Sequence, residues 1–282
     1  VVSLVRPGAA WRALQGTTIV EDDGLHTEAV LEAAIGADVV LHALNPPYAE
    51  WRTKAIPMAE VAIAAAESAG ATLMFPGNVY NYGKRMPERI DEETPMQPTA
   101  RKGAIRVEIE QRLQAASTRG VKTIIVRAGD FFGGVGRGSW FDLVIARDLP
   151  LSIVRYPGPL DVVHSWAYLP DLAQVFVKLA NQREKCGVCE TFGFPGHAVT
   201  GEEMIGTLQQ VVGRQLKRKN FPWWAIRLGG PLVSHWRELA EIAYLWSTPH
   251  RIAGDKLKAA IGEIPRTQFT QAIRDALDPL RR

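Results

Sequence analysis

The feature that most constrains this chain is a regular exchange between short apolar runs and helix-patterned segments over residues 1–127. Val1–Val5 is an apolar run that turns at Pro7-Gly8 and reads as a buried strand entered midway. Thr17–Val20 is a second strand, followed by the acidic turn Glu21-Asp22-Asp23-Gly24. Thr27–Ile35 has helical spacing, with Val30, Leu31 and Ala34 on one side. Asp38–Leu44 is a third strand, ended by Asn45-Pro46-Pro47. Pro57–Ala69 is an alanine-rich helix with proline in its first turn and Gly70 as its stop. Ala71–Phe75 is a fourth strand leading into a loop over 76–83, a helix over 101–119 ends at Gly120, and Val121–Arg127 is a fifth strand. Strands and helices alternating at this spacing predict a parallel sheet with helices on both faces. The nearly unbroken apolar character of the strands agrees, because a strand covered on both sides need not alternate. Such sheets bind ligands beyond the carboxyl ends of their strands, so the loops after Val5, Val20, Leu44, Phe75 and Val126 outline the expected site.

Past Gly133 the pattern changes. Leu151–Val154, a turn at Pro157-Gly158-Pro159 and Val162–Tyr168 precede a helix that starts near Pro170, and Glu190–Phe194 is a further strand. Thr200-Gly201-Glu202-Glu203 is a capping box opening a helix to about Val212. The rest is helical and tryptophan-rich. The expected division is a nucleotide-binding domain over 1–195, with 133–160 partly in a smaller, mostly helical lobe, and that lobe over 196–282. Trp236, Leu239, Ile242, Tyr244, Leu245 and Trp246 read as the lobe's core, and Trp223 and Trp224 as packing residues at a helix start beside Ile226 and Leu228.

Composition removes several function classes. Apolar residues are 46% and charged residues 22% of the 282, which suits a folded globular chain and not a disordered one. A net charge of +3 is too small to call for a polyanionic partner. The basic-aromatic stretch from Arg214 to Trp224 is too short for a nucleic-acid groove. No apolar run reaches the roughly 18 residues of a membrane span, and Val1–Val5 is no signal peptide. Cys186 and Cys189 form a lone CxxC without a second ligand pair, which reads as two small apolar residues in a reducing cytoplasm. The six histidines (26, 42, 164, 197, 235 and 250) show no metal-ligand spacing.

The motifs Leu4-Val5-Arg6-Pro7-Gly8, residues 39–48, Val79-Tyr80-Asn81-Tyr82-Gly83, Pro95-Met96-Gln97-Pro98-Thr99 and residues 126–134 stand at successive strand ends. In that order they resemble the extended short-chain dehydrogenase/reductase family, the NAD-dependent epimerases and dehydratases. The resemblance runs over essentially the whole chain. It implies a Rossmann-type, doubly wound α/β fold with a C-terminal substrate lobe.

The family starts with one more strand and a glycine-rich turn that sets the pyrophosphate on a helix N-terminus. No GxxGxxG precedes Val1, and the cluster Gly133-Gly134-Val135-Gly136-Arg137-Gly138 follows a late strand, so a truncated N-terminus is expected. Arg6 would then stand where the adenosine ribose is read, and its guanidinium suits a 2′-phosphate. The implied cofactor is NADP, with NAD as the alternative. Asp22 and Asp23 match the place that meets the adenine amino group, and Leu44 and Asn45 would lie along the cofactor. Arg127, Ala128 and Gly129 resemble the segment lining the nicotinamide.

The catalytic motif departs from the family. Pro76 takes the place of the usual Ser or Thr, and Lys102 and Arg106 take the places of the tyrosine and lysine of Tyr-x-x-x-Lys. An arginine stays protonated and can anchor a ribose but shuttles no proton. Residues four apart on a helix are neighbours, so Arg106 would depress the pKa of Lys102. Lys102 is therefore expected as an unusual general acid or as an anion clamp, against the alternative of two solvated helix charges. Asn78 and Tyr80 are the other catalytic candidates. Asn78, Tyr82, Asp130 and His164 are the substrate-side candidates, although His164 and Asp130 also read as a structural histidine and a turn cap. The implied function is hydride transfer by an epimerase, dehydratase or reductase on a small hydroxyl or carbonyl substrate, nucleotide sugars included. The rival is a non-catalytic NAD(P)-binding sensor or regulator. A homodimer is among the assemblies the family allows, and no nucleic-acid or membrane partner is expected.

Overall fold

The computed structural model describes residues 1–134, 138–230 and 233–280. Val135, Gly136 and Arg137 of the glycine cluster lie outside these.

In chain order the first elements are β1 (Val2–Val5), β2 (Thr18–Glu21), α1 (Thr27–Ala33), β3 (Val39–Leu41), α2 (Trp51–Ala69), β4 (Thr72–Asn78), β5 (Arg89–Ile90), α3 (Arg101–Ser117) and β6 (Thr123–Ala128). They are followed by β7 (Asp130–Phe132), β8 (Ile153–Tyr156), β9 (Val163–Tyr168), α4 (Leu169–Asn181), β10 (Cys189–Gly193), β11 (His197–Thr200) and α5 (Gly201–Val212). The last are β12 (Lys217–Asn220), α6 (Trp223–Gly229), α7 (Ser234–Glu241), β13 (Arg251–Ile252), α8 (Asp255–Ile261) and α9 (Phe269–Leu277).

The central sheet runs β10-β6-β4-β3, all parallel, with Leu73 opposite Thr123 and Phe192 opposite Val126. Its doubly wound character follows from the two-residue period of a strand. Leu73, Phe75 and Ile125 point to one face, where they pack with Ala59, Ile63 and Ala66 of α2 and Ile105, Ile109 and Leu113 of α3. Met74, Ile124 and Val126 point to the other, against Leu172, Val175 and Leu179 of α4 and Leu257 and Ile261 of α8. Each fully buried Leu, Ile or Phe contributes about 1.5–3 kcal/mol relative to exposure. The two faces together therefore outweigh any single turn or cap.

Four local expectations change. β1 is not buried: Val2 is 46% exposed, since β1 pairs only with β2 and the two strands form their own small sheet. α2 begins at Trp51, so Pro57 sits inside it. Interior proline costs about 3 kcal/mol. Against that stand the buried side chains Trp51, Ala55, Met58 and Val61, with the Trp51 indole donating to the Pro46 carbonyl at 2.9 Å. β4 runs on through Pro76 and Gly77 to Asn78, because Pro76 still lies in register with Val126. Trp224 is 71% exposed instead of packed. The lobe core forms around Ile242, Tyr244, Leu245 and Trp246, all buried, while Trp236 stays partly open at 38%. The Thr200–Glu203 capping box forms with both reciprocal hydrogen bonds. No helix among the described residues is long and apolar enough to cross a membrane.

Two buried histidines make stability depend on pH. His42 stacks on Phe75 with ring centroids 5.5 Å apart, and burial, then the charge of Arg106, brings its pKa down to about 4. Burial, then His164, brings His250 down to about 3. Both lie below the ordinary 6.5, so the folded state favours the neutral rings. Their stabilisation is complete above about pH 6.5 and is lost as pH falls through about 4 and then about 3, at up to about 1.4 kcal/mol per pH unit for each ring. Urea midpoints recorded from pH 7 to 4 are expected to fall. His42→Phe, which keeps the ring stack, is expected to flatten that fall, and an unchanged slope would disprove the assignment.

Candidate functional site

α3 carries the altered catalytic motif, and its approach to the sheet depends on Gly103. A β-carbon there would stand 2.3 Å from the Tyr80 carbonyl oxygen, so only glycine lets the helix lie this close to the 79–85 turn. Lys102 is 1% exposed and turned toward the lobe. Its ammonium pairs with Glu238 Oε2 and donates to Glu241 Oε2 and to the Glu238 carbonyl, each of the latter two at 3.2 Å. Glu241 also accepts the Lys102 backbone N–H at 3.0 Å, which caps α3. An ammonium has three donors, and all three are taken. As an anion clamp Lys102 has none to offer.

Arg106 lies between aromatic rings, its guanidinium carbon 4.6 Å from the Trp51 centroid and 5.2 Å from that of Phe75. Burial pulls its pKa down, and its Nε has no hydrogen-bond partner among the described residues. It is thus a cation held by π faces with an unsatisfied donor.

Beneath the end of β4, Arg127 is committed internally. Its Nη2 and Nε contact Glu110 at 2.7 and 3.1 Å, and its Nη1 donates to the Tyr82 hydroxyl at 2.9 Å. Asn81 donates to the same Glu110 at 2.7 Å. Arg127 and Tyr82, expected along cofactor and substrate, therefore lie inside a buried network. Ala128 is fully buried, and Gly129 admits the β9 backbone, since a β-carbon would stand 2.1 Å from the Ser165 carbonyl oxygen. Pro76 lies within β4. Asn78 accepts the Tyr80 backbone N–H at 3.0 Å.

Tyr80 reaches a partner that the sequence did not single out, Tyr48. Their hydroxyls are 3.0 Å apart. Burial raises both pKa values, that of Tyr48 to about 12, and Trp140 also hydrogen-bonds Tyr48. The Lys102 ammonium stands 5.0 Å above the Tyr48 ring. Behind this pair, Asp130 and His164 join at 2.8 Å. His164 is buried and stacked on Trp246 with centroids 4.5 Å apart, so its ring is fixed on one side by charge and on the other by an indole.

At the strand ends, Asp22 takes the Gly24 N–H at 2.7 Å and His26 Nδ1 at 2.7 Å, and Leu44 packs by Gly24. Asp22, Asp23 and His26 bring one ligand atom each within 4.8 Å of one another, a grouping that histidine spacing did not signal. Arg6 and Asn45 are exposed there. Both line a cavity of about 1180 Å³ that continues past Pro46, Pro47 and Tyr48 to Trp140, Arg147, Phe221 and Trp236. Its lobe end was invisible in sequence because those residues come from three distant segments. The Pro46-Pro47 pair drew attention as a strand stop, which masked the tyrosine after it.

Lys102→Met removes the cation that Glu238 and Glu241 share and leaves Glu238 only Arg237, at 3.9 Å. It is expected to cost about 3–5 kcal/mol in denaturant unfolding. Nicotinamide dinucleotide affinity measured on the folded variant should stay unchanged, since no Lys102 donor faces the cavity.

No family model and no curated protein matches the sequence. Solved structures do. A protein of Burkholderia cenocepacia J2315 provisionally called an epimerase is 22% identical, with 99% of this chain and 89% of that one covered at a TM-score of 0.75. A UDP-glucose 4-epimerase of Thermotoga maritima, solved with UDP-glucose, is 14% identical over 99% of this chain and 90% of its own, at 0.78. MoeE5, solved with UDP-glucose and NAD, is 14% identical over 99% and 90%, at 0.76. The chain thus has the Rossmann-type α/β fold of these structures, over almost its whole length.

Proposed function

We propose that this chain is an NAD(P)-dependent enzyme of the epimerase, dehydratase or reductase kind, acting on a small hydroxyl or carbonyl substrate. The carrying observation is the single cavity that starts at Arg6 beyond β1, crosses the end of β3 at Asn45–Tyr48 and finishes on the lobe. An extended dinucleotide lies across strand ends in just this direction, with substrate past its nicotinamide. MoeE5, on the same fold, was solved with NAD.

The residues present fit such a cofactor at two places. Arg6 follows β1 and pairs with no described acid, which suits the 2′-phosphate of NADP over the bare hydroxyl of NAD. Arg106 keeps an unsatisfied Nε donor and a permanent charge, which suits a ribose. When bound, the nicotinamide supplies or accepts the hydride. The chain orients the substrate and handles its proton. Tyr48 lines the cavity and its hydroxyl shares a hydrogen bond with that of Tyr80, a pair in which one O–H is left to donate to a substrate oxygen. With its pKa pushed up to about 12 by burial, Tyr48 keeps that proton at neutral pH and acts as a donor to a substrate oxygen, not as a base. Asp130, held by His164, offers an acceptor beside the same tyrosines.

One observation favours a second reading, a non-catalytic NAD(P) sensor: the residue at the family's tyrosine position is spent on Glu238 and Glu241. Calorimetric titration with NADPH and NADH, beside NADPH oxidation against a panel of carbonyl compounds, separates the two. NADPH is expected to bind about tenfold more tightly than NADH, and Arg6→Ala is expected to erase that preference. Tight binding without turnover on any compound would select the sensor. Binding of neither dinucleotide would overturn both readings.

A further inference from the structure

The lobe end of the cavity has a chemistry of its own. Its walls are Trp140, Phe221, Trp236, Ile226 and Leu239, with Leu143 at the rim. Leu143 is 56% exposed and Trp236 38%, an open apolar surface that gains by being covered. The Trp140 ring meets Phe221 edge-on at 5.8 Å between centroids, so the wall is built of rigid faces, not of flexible chains. At about 1180 Å³ the whole cavity exceeds the roughly 300–1,000 Å³ of a pocket for one small ligand, which leaves room for a second molecule beyond a cofactor.

Polar groups at that end are few and mostly spent. Ser139 donates to Asp142 at 2.8 Å, and the same Asp142 oxygen takes the N–H groups of Gly138 and Ser139 at 3.1 Å each. Arg155 is paired with Asp148 at 2.9 Å. Arg147 lines the cavity, is exposed and pairs with no described residue. A sugar diphosphate entering here would leave hydroxyls and phosphate oxygens facing indole and leucine, each at a desolvation cost. A flat apolar body with a single negative charge would leave nothing unpaired.

We infer that the lobe end of the cavity takes an aromatic carboxylic acid, its ring system against Trp140, Phe221 and Trp236 and its carboxylate on Arg147. This rests on the proposed function only in taking the lobe end as the substrate end. The complement is a guanidinium for the carboxylate, which it can grip with two parallel hydrogen bonds, and aromatic faces for the ring.

The test is equilibrium binding to the full chain, by calorimetry and tryptophan fluorescence, of three probes. These are naphthalene-2-carboxylate, the neutral naphthalene-2-carboxamide of the same shape, and UDP-glucose. The acid is expected to bind about tenfold more tightly than the amide, the worth of one charge-assisted contact. Arg147→Gln should abolish that difference without changing amide or NADPH affinity, and Arg147→Lys should keep part of it. Arg147 is a surface side chain, so both variants are expected to unfold at the wild-type temperature. Equal binding of acid and amide, no binding of the acid, an unchanged preference in Arg147→Gln, or tighter binding of UDP-glucose would each overturn the inference. NADPH binding is read separately. Its absence beside an intact preference for the acid would remove the cofactor reading and leave this site standing.

Discussion

Burial of β4 and β6 on both faces is the constraint on which the rest of this structure depends. Because side chains alternate across a strand, two neighbouring strands feed two separate cores, one under α2 and α3 and the other under α4 and α8. That arrangement holds the carboxyl ends of β3, β4 and β6 in line and directs the turns after them to one edge of the sheet. Tyr48, Tyr80 and Asp130 meet there although they are far apart in the chain. The cavity exists because the lobe closes over that edge.

The closure is made by charge as much as by apolar contact. Taking Lys102 out of water is costly unless every donor is met, and two carboxylates of α7 and one carbonyl meet all three. The pair of acids ties α3, which belongs to the sheet, to α7, which belongs to the lobe. The same geometry takes Lys102 out of the cavity, which Tyr48 lines. Arg127 is similarly withdrawn by Glu110 and Tyr82, with Asn81 donating to the same Glu110. Two of the charges that a sequence reading would give to ligand are in fact internal ties.

Much of the fold was legible, for physical reasons that can be named. Ala71–Phe75 and Val121–Arg127 are too apolar to be anything but strands covered on both sides, and the Thr200–Glu203 capping box closes on itself within four residues. The α2 start was less legible: proline in a first turn is the commoner arrangement, and only the packing of Trp51 on Pro46 shows the helix beginning two turns earlier. The exposed Trp224 misled because an apolar residue at helical spacing predicts a buried face without saying which neighbour will cover it.

The division between sequence and tertiary structure follows the range of the forces involved. Periodicity, caps and turn residues act within a few residues, so the sequence by itself determined the βα alternation and the parallel sheet. Which side chains face the cavity depends on pairs separated by more than a hundred residues, such as Lys102 with Glu238. Only the tertiary structure decided that Lys102 and Arg127 would turn inward, that Tyr48 would meet Tyr80 and that Arg147 would line the cavity with no partner among the described residues. A buried charge goes to whatever partner relieves its desolvation, and no local pattern names that partner in advance.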